Sequence, residues 1–340
     1  QAEDGIRDTN SGLVGSEMCI RDSSYAMADI ACAPINGGPI GGLPRPDMLV
    51  CCNNICGTVL KWYEIQARYF NVPLFILDTP ICHTDFTKEA KDYVVRQLGE
   101  YFKFIEANTG KKFDFDRLED VGKLSLEGQR MWQAVLDTTL NRPSPMSAFD
   151  AFIHLALIVT LRVTQLTVDY YKTLLDEMNE RVKNGISAVP EERYRLLWDN
   201  IPVWFRTRWL SEKFASLGAC LVADTYTSSW SGMMTYIDAE NFMDSLAETY
   251  TRIYLNIGID EMALNVLAMI EKYDVDGVVL HSNRSCKPYS LGQYDIQRII
   301  QEKAGLPTLM IEADMVDERS FSESQIETRI DAFMEVVAST

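Results

Sequence analysis

Two cysteines stand where the sequence offers chemistry. Cys56 lies in MLVCCNNICGTVLKW, residues 48–62, four residues past the apolar run MLVCC. Cys286 lies in NRSCKP, just past the apolar run VDGVVLHS at 275–282. Each occupies a polar turn ahead of a segment with helical character. A sulfur near a helix N-terminus is favoured as thiolate, because the helix dipole stabilises negative charge there. Thiolate ligands suit zinc or an iron–sulfur cluster. The competing reading is packing, since any single cysteine is more often a small buried hydrophobe. Cys51, Cys52 and Cys220 sit inside apolar runs and read that way.

Other polar groups fall near the same places. His281 ends its run five residues before Cys286. It reads either as an acid/base group or donor to a metal ligand, or as a hydrogen-bonded strand-end histidine. His83 and Asp85, after DTPIC, carry the same two readings. Arg284 and Lys287 flank Cys286 and are either phosphate-holding cations or ordinary surface residues. His154 sits in an apolar segment and reads as core.

These residues need two strand-to-helix turns brought to a common edge. The chain has 340 residues, enough for two domains with separate cores. PDMLVCC reads as a strand buried on both faces, GTVLKWYEIQARYF as a helix and NVPLFILD as the next strand. That is one βαβ unit, with a right-handed crossover expected. Residues 85–108 read as a helix and 115–187 as mostly helical, interrupted by NRPSPMS at 141–147. A second unit begins near 190. NIPVWF (200–205), ACLVAD (219–224), VDGVVLHS and LPTLMIEAD (306–314) read as strands. TRWLSEKFASLG is a helix ending at Gly218, and YSLGQYDIQRIIQEKAG is another. SESQIETRIDAFMEVV closes the chain, with Ser322 as N-cap and Gln325 at the capping-box position. The expected fold is therefore α/β: two doubly wound, flavodoxin-like parallel-sheet domains with a helical insert. The domains are a partial N-terminal one at 25–115 and a C-terminal one at 191–340, with the insert at 116–190. Ligands in such sheets sit beyond the C-terminal strand ends.

Composition narrows the function. The chain is 47% hydrophobic and 24% charged, with a net charge of −17. That charge disfavours nucleic acid and anionic membranes and fits a cytoplasmic enzyme or assembly subunit. The longest apolar run, AFIHLALIVTL (151–161), is too short to span a bilayer and reads as a buried helix. Eight cysteines without a CxxC pair, and three histidines, give no disulfide framework and no Cys₂His₂ spacing. Neither a phosphate loop nor a dinucleotide fingerprint is present in the sequence, so no nucleotide site is expected.

Residues 1–24 lack apolar periodicity. AEDGIRD and SEMCIRDS within them resemble translated sequencing-adapter read-through, and Cys19 belongs to that segment. On this reading the authentic chain begins near Ser24–Tyr25.

RPDMLVCCNNICGTVLKWYEIQARYFNVPLFILDTP, HSNRSCKPYSLGQYDIQ and GLPTLMIEADMVDERSFSESQIETRIDAF together resemble the 2-hydroxyacyl-CoA dehydratase / benzoyl-CoA reductase family, over about residues 25–340. The NNICGTVLKW form looks closer to the benzoyl-CoA reductase-like branch than to dehydratases acting on glutaryl or isocaproyl substrates. The resemblance implies a [4Fe–4S] cluster held by three cysteines between two α/β domains. Two of those positions fall on Cys56 and Cys286. The first normally precedes a segment like SYAMADI, and here that position is Ser23. Cys82, in DTPICH, is a candidate substitute. The resemblance also implies a sister subunit, an acyl-CoA thioester substrate and an electron from an ATP-dependent iron–sulfur activator. Alternatives are an electron-relaying sister subunit, or a cluster-free binding or assembly protein of the same fold.

Overall fold

The computed structural model describes residues 45–55, 57–84, 86–231, 237–238 and 241–340. Ser23, Cys56 and Asp85 lie outside the described residues.

The described residues open with β1 (Leu49–Cys52), α1 (Gly57–Phe70) and β2 (Leu74–Leu77). β1 and β2 pair in parallel, from Leu49 opposite Leu74 to Cys52 opposite Leu77. α2 (Lys88–Thr109) starts where the Thr87 side chain accepts the Ala90 N–H and stops at Gly110, whose φ of 68° is left-handed. A helical layer follows: α3 (Phe115–Asp137), α4 (Ala148–His154), α5 (Ala156–Thr160) and α6 (Gln165–Lys183). Ser147 and Asp150 close a capping box at the start of α4, so the turn after NRPSPMS sets that helix.

The rest of the chain runs β3 (Tyr194–Asp199), α7 (Thr207–Ser216), β4 (Ala219–Asp224), α8 (Thr225–Ser228), α9 (Phe242–Thr251), α10 (Ile259–Tyr273), β5 (Gly277–Asn283), α11 (Lys287–Ser290), α12 (Gln293–Ala304), β6 (Thr308–Ala313) and α13 (Glu323–Ser339). Its four strands form a parallel sheet in the order β4-β3-β5-β6. The fold is thus α/β with parallel sheets.

Alternation along the strands builds two cores, because successive side chains face opposite ways. Leu197, Val278 and Leu280 pack with Met262, Val266 and Met269 of α10 and Ile296 and Ile300 of α12. Val59 and Trp62 of α1 join that face. Leu196, Trp198, Val279 and Ile311 pack the other way, against Phe149 and Phe152 of α4, Leu210 and Phe214 of α7, and Ile330 and Phe333 of α13. A separate core surrounds β2: Leu77 meets Val94, Leu98 and Phe102 of α2 and Ala247 of α9. α9, although late in the chain, therefore packs on the first βαβ unit, where Lys91 and Asp244 also pair at 2.7 Å.

Four expectations change. NIPVWF is not a strand; the strand is YRLLWD, six residues earlier, and it ends where Asn200 turns left-handed at φ 89°. Arg195 in its middle disguises it. That guanidinium is buried and neutralised by Glu192 at 2.8 Å, and it donates to the carbonyls of Tyr273, Thr139 and Asn141. AFIHLALIVTL is not one buried helix but α4 and α5, with Ile153 73% exposed and Val159 and Leu161 also exposed. β1 is covered on one face only, since Val50 is exposed while Cys51 is buried. Ser322 holds the N-cap position of α13 without a capping hydrogen bond from its side chain. No helix among the described residues is long and apolar enough to cross a membrane.

Candidate functional site

Three strand-end turns meet at the seam between the two sheets. The first, residues 53–55, leaves β1. Asn53 accepts the Thr79 N–H at 2.7 Å and also hydrogen-bonds Asp78, so the exits of β1 and β2 are tied side by side. Asn54 is buried and donates to the Tyr250 carbonyl at 2.6 Å. The second turn, residues 79–84, leaves β2. The Cys82 N–H donates to the Asn256 carbonyl at 2.9 Å, and Cys82 forms a parallel bridge with Ile257. The Asn256 side chain returns the tie by donating to the Pro80 carbonyl at 2.8 Å. The third turn, residues 283–290, leaves β5 and carries Cys286.

One contact joins the first and third turns directly. The Thr58 hydroxyl, two residues past Cys56, donates to the carbonyl of Ser285, the residue before Cys286, at 3.2 Å. The two cysteine-bearing turns are therefore neighbours although 227 residues separate the bonded pair. Segment 250–257 completes the junction. It touches the first two turns as above, and its Tyr254 ring packs on Tyr289 of α11, with centroids 5.2 Å apart. Gly258 follows because nothing larger fits: a Cβ there would stand 2.4 Å from the His83 carbonyl oxygen.

The Cys286 turn is densely fixed. Asn283 accepts the Ser285 N–H on its side chain at 3.1 Å, and its own carbonyl accepts the Cys286 N–H at 3.2 Å and the Ser290 hydroxyl at 2.8 Å. The Ser285 hydroxyl bonds Asp314, whose other oxygen caps the N–H groups of Val316 and Asp317. Cys286 itself has 0% of its surface exposed and packs in the core shared by α1, α10 and α12. It is the N-cap of α11, which is a single turn, so the helix dipole expected from sequence is small.

Beneath this turn lies a buried polar layer at the ends of β3 and β4. The Asp199 carboxylate accepts from Thr225 at 2.8 Å and Gln293 at 2.9 Å, with the Tyr254 hydroxyl at 3.4 Å. Burial raises its pKa, and those hydrogen bonds oppose the rise. The Tyr289 hydroxyl lies 2.8 Å from the Thr225 oxygen. With the single Thr225 proton given to Asp199, Tyr289 is the donor in that pair. Asp224 is also enclosed. Burial pushes its pKa up to about 7 against the hydrogen bonds it accepts from Thr227.

The other sequence candidates are placed as follows. His281 is fully buried, and its ring lies on the opposite face of β5 from the Cys286 core. It packs 5.8 Å from Trp198, and Nδ1 meets the Ile201 carbonyl at 2.5 Å. Burial lowers its pKa to about 4, so it is neutral near pH 7. His83 is exposed at the second turn. Cys82 is buried there, and burial raises its thiol pKa. Arg284 and Lys287 are exposed, with Arg284 4.0 Å from Glu312. His154 is half-buried, its Nδ1 2.7 Å from the Tyr170 hydroxyl rather than enclosed in core. Cys51 and Cys220 are buried and Cys52 half-buried within strands. No disulfide joins two of the described cysteines, and no group of three or more His, Cys, Asp or Glu among the described residues converges on one point. Asn200, Thr225, Tyr254 and Asn256 carry no signal in sequence that would have marked them, because the partners that tie them to other elements lie between 25 and 176 residues away.

Fold and site define an α/β protein whose thiol-bearing turn is enclosed at a seam between two parallel sheets. Comparison with known proteins gives the family. A family model described as 2-hydroxyglutaryl-CoA dehydratase, D-component, matches residues 17–337, a range that begins inside the adapter-like segment. The chain is 34% identical to the (R)-2-hydroxyisocaproyl-CoA dehydratase alpha subunit of Clostridioides difficile, over 92% of this chain and 77% of that protein. It is 32% identical to the lactoyl-CoA dehydratase alpha subunit of Anaerotignum propionicum, over 95% and 76%. It is 29% identical to a benzoyl-CoA reductase subunit of Thauera aromatica, over 98% and 82%. The chain belongs to the 2-hydroxyacyl-CoA dehydratase / benzoyl-CoA reductase family of enzyme subunits. Identities to the two dehydratases and to the reductase subunit lie between 29% and 34%.

Proposed function

We propose that this chain is the [4Fe–4S]-cluster subunit of a 2-hydroxyacyl-CoA dehydratase or benzoyl-CoA reductase-like complex. It would act in the cytoplasm beside a sister subunit and accept an electron from an ATP-dependent iron–sulfur activator. The observation that carries this reading is the Thr58–Ser285 hydrogen bond, which supports Cys56 and Cys286 as two ligands of one group. The remaining surroundings fit a low-potential cluster. Cys286 is enclosed in apolar side chains, and a dry site disfavours the extra negative charge of the reduced state. Ser23 stands where the family places a third cysteine.

When bound, the cluster would supply one low-potential electron to a CoA thioester, allowing a ketyl radical to form on the substrate. The protein's own residues do the holding. Asn283 and Ser285 fix the Cys286 backbone, Asn54 and Asn53 fix the Cys56 turn, and segment 250–257 binds the two turns together. Arg284 and Lys287, exposed on either side of Cys286, would meet the phosphates of an acyl-CoA. His281, closed off and neutral, supports β5 rather than meeting substrate. The domain reading is a partial N-terminal α/β unit at 25–115, an insert at 116–190 and a C-terminal unit at 191–340, both sheets of flavodoxin-like type. The β4-β3-β5-β6 order supports it for the C-terminal unit.

Anaerobic iron and sulfide counts test the proposal, on chain carrying Ser23→Cys and co-expressed with a sister subunit. About four of each per chain are expected. Cys56→Ala and Cys286→Ala should each abolish stable loading. Absence of iron from the Ser23→Cys chain, with no change on removing either cysteine, would sink the reading.

A further inference from the structure

Asn200 ends β3 in the left-handed region, at φ 89°, although it is not glycine and is fully buried. Such a conformation is unfavourable for a residue with a Cβ and persists only when its surroundings hold it. Here every polar atom of the residue is engaged. Its N–H donates to Thr225 Oγ1 at 3.1 Å, and its carbonyl accepts Trp198 Nε1 at 2.9 Å. Its Oδ1 accepts the Ile201 N–H at 2.6 Å. Its Nδ2 donates twice, to the His281 carbonyl at 2.7 Å and to Ser290 Oγ at 3.1 Å. Ser290 is the last residue of α11. Its N–H bonds the Cys286 carbonyl at 3.1 Å, and its hydroxyl donates to the Asn283 carbonyl at 2.8 Å. One side-chain amide therefore spans from β5 to the far end of the Cys286 turn, while its backbone is fixed by Trp198 of β3 and Thr225 of α8.

We propose that Asn200 is the positioning residue for the Cys286 turn: through Ser290 it clamps both ends of residues 283–290 and holds the thiol in its enclosed place. This deepens the functional reading above. A cluster that gains and loses one electron works fastest when its ligands do not move, and a clamp whose every polar atom is engaged supplies that stiffness. Asn200 acts on the reaction only through the position of Cys286.

The test needs no iron, so it stands or falls separately from the cluster assignment. The full metal-free chain is treated with iodoacetamide under anaerobic conditions, and alkylation of Cys286 and Cys220 is followed by peptide mass. Cys220, fully buried in β4, reports global opening, whereas Cys286 reports opening of the turn. Asn200→Gly removes the side-chain clamp while tolerating the left-handed backbone. It should leave the Cys220 rate unchanged and speed Cys286 alkylation about tenfold or more, since local opening rises when the bonds that close it are lost. Ser290→Ala should do the same, and the double variant should add little to either. In iron-loaded Ser23→Cys chain, Asn200→Gly should also shift the reduction midpoint. A Cys286 rate equal to that of the unaltered chain, or one rising only in step with Cys220, overturns the proposal. If Asn200→Gly fails to fold, Ser290→Ala alone decides by the same two rates.

Discussion

The turns after β1 and β5 both carry a cysteine at a strand's C-terminal end, yet they are built differently. The β5 turn rises from a four-stranded sheet covered on both faces and rests on Asn200, Asn283, Asp314 and the Asp199 layer. The β1 turn rises from a strand with one exposed face, and its ties run chiefly to Asp78 and Thr79 and to Tyr250. Equivalent placement in sequence thus hides unequal support. The rigid half can fix its turn by itself, whereas the lighter half takes its position from contacts across the seam. Local stability follows buried apolar contact and protected hydrogen bonds, so the two halves should also open separately.

Four measurements break or sharpen this contrast. The largest effect is expected from Arg195→Met. It leaves Glu192 buried without its cation and frees the carbonyls of Tyr273, Thr139 and Asn141, at about 3–5 kcal/mol. Denaturant midpoints would show it, and a loss under about 1 kcal/mol would mean that the rigid half does not depend on this ion pair.

Hydrogen exchange comes next. Amides of β5 should exchange only with global unfolding, and those of β1 through local opening, at least about tenfold faster. Equal protection in both strands would erase the contrast.

The third concerns pH. Asp224 is raised to about 7 in the folded state, so the folded chain binds the extra proton. Its contribution is fully present below the unfolded carboxylate value of about 4 and is lost as pH rises towards about 7. His281 runs the other way. Its pKa is lowered to about 4, so its contribution is present above its unfolded value and lost as pH falls towards 4. Between these limits the two slopes oppose. Asp224→Asn should therefore unmask a chain whose stability climbs more steeply with pH than the parent over that window. Parallel curves for variant and parent would show that Asp224 is not the buried acid described.

Thr58→Val is expected to be the mildest, at about 1 kcal/mol, because it deletes one hydrogen bond with little change of shape. Its effect should appear in the β1 amides and not in those of β5.

Most strands were legible because they are short apolar runs bounded by turn residues: LVCC, LFIL, ACLVAD and GVVLHSN all fall where patterning puts them. YRLLWD escaped because Arg195 looks like a surface residue until the three carbonyls that meet its guanidinium are in place. AFIHLALIVTL misled because apolar composition does not say whether a face is covered. Cys56 and Cys286 could be singled out by their positions past strands. What holds the Cys286 turn could not, since Asn200 and Ser290 are 90 residues apart and Asn54 and Tyr250 are 196 apart. Pairings at such separations arise from topology, which a local pattern does not contain.

The 227-residue span between Thr58 and Ser285 also sets a schedule for biosynthesis. At roughly 5–20 residues per second, about 10–45 seconds pass between the emergence of one partner and that of the other. Through most of that interval the first turn has neither segment 250–257 nor the Ser285 carbonyl to rest against. A nascent chain would hold Asn54 and Thr58 without these partners for longer than a local helix or hairpin takes to form. Docking of the first turn on the third must therefore follow translation of residue 285, and the interval before it is the one that slow synthesis would lengthen.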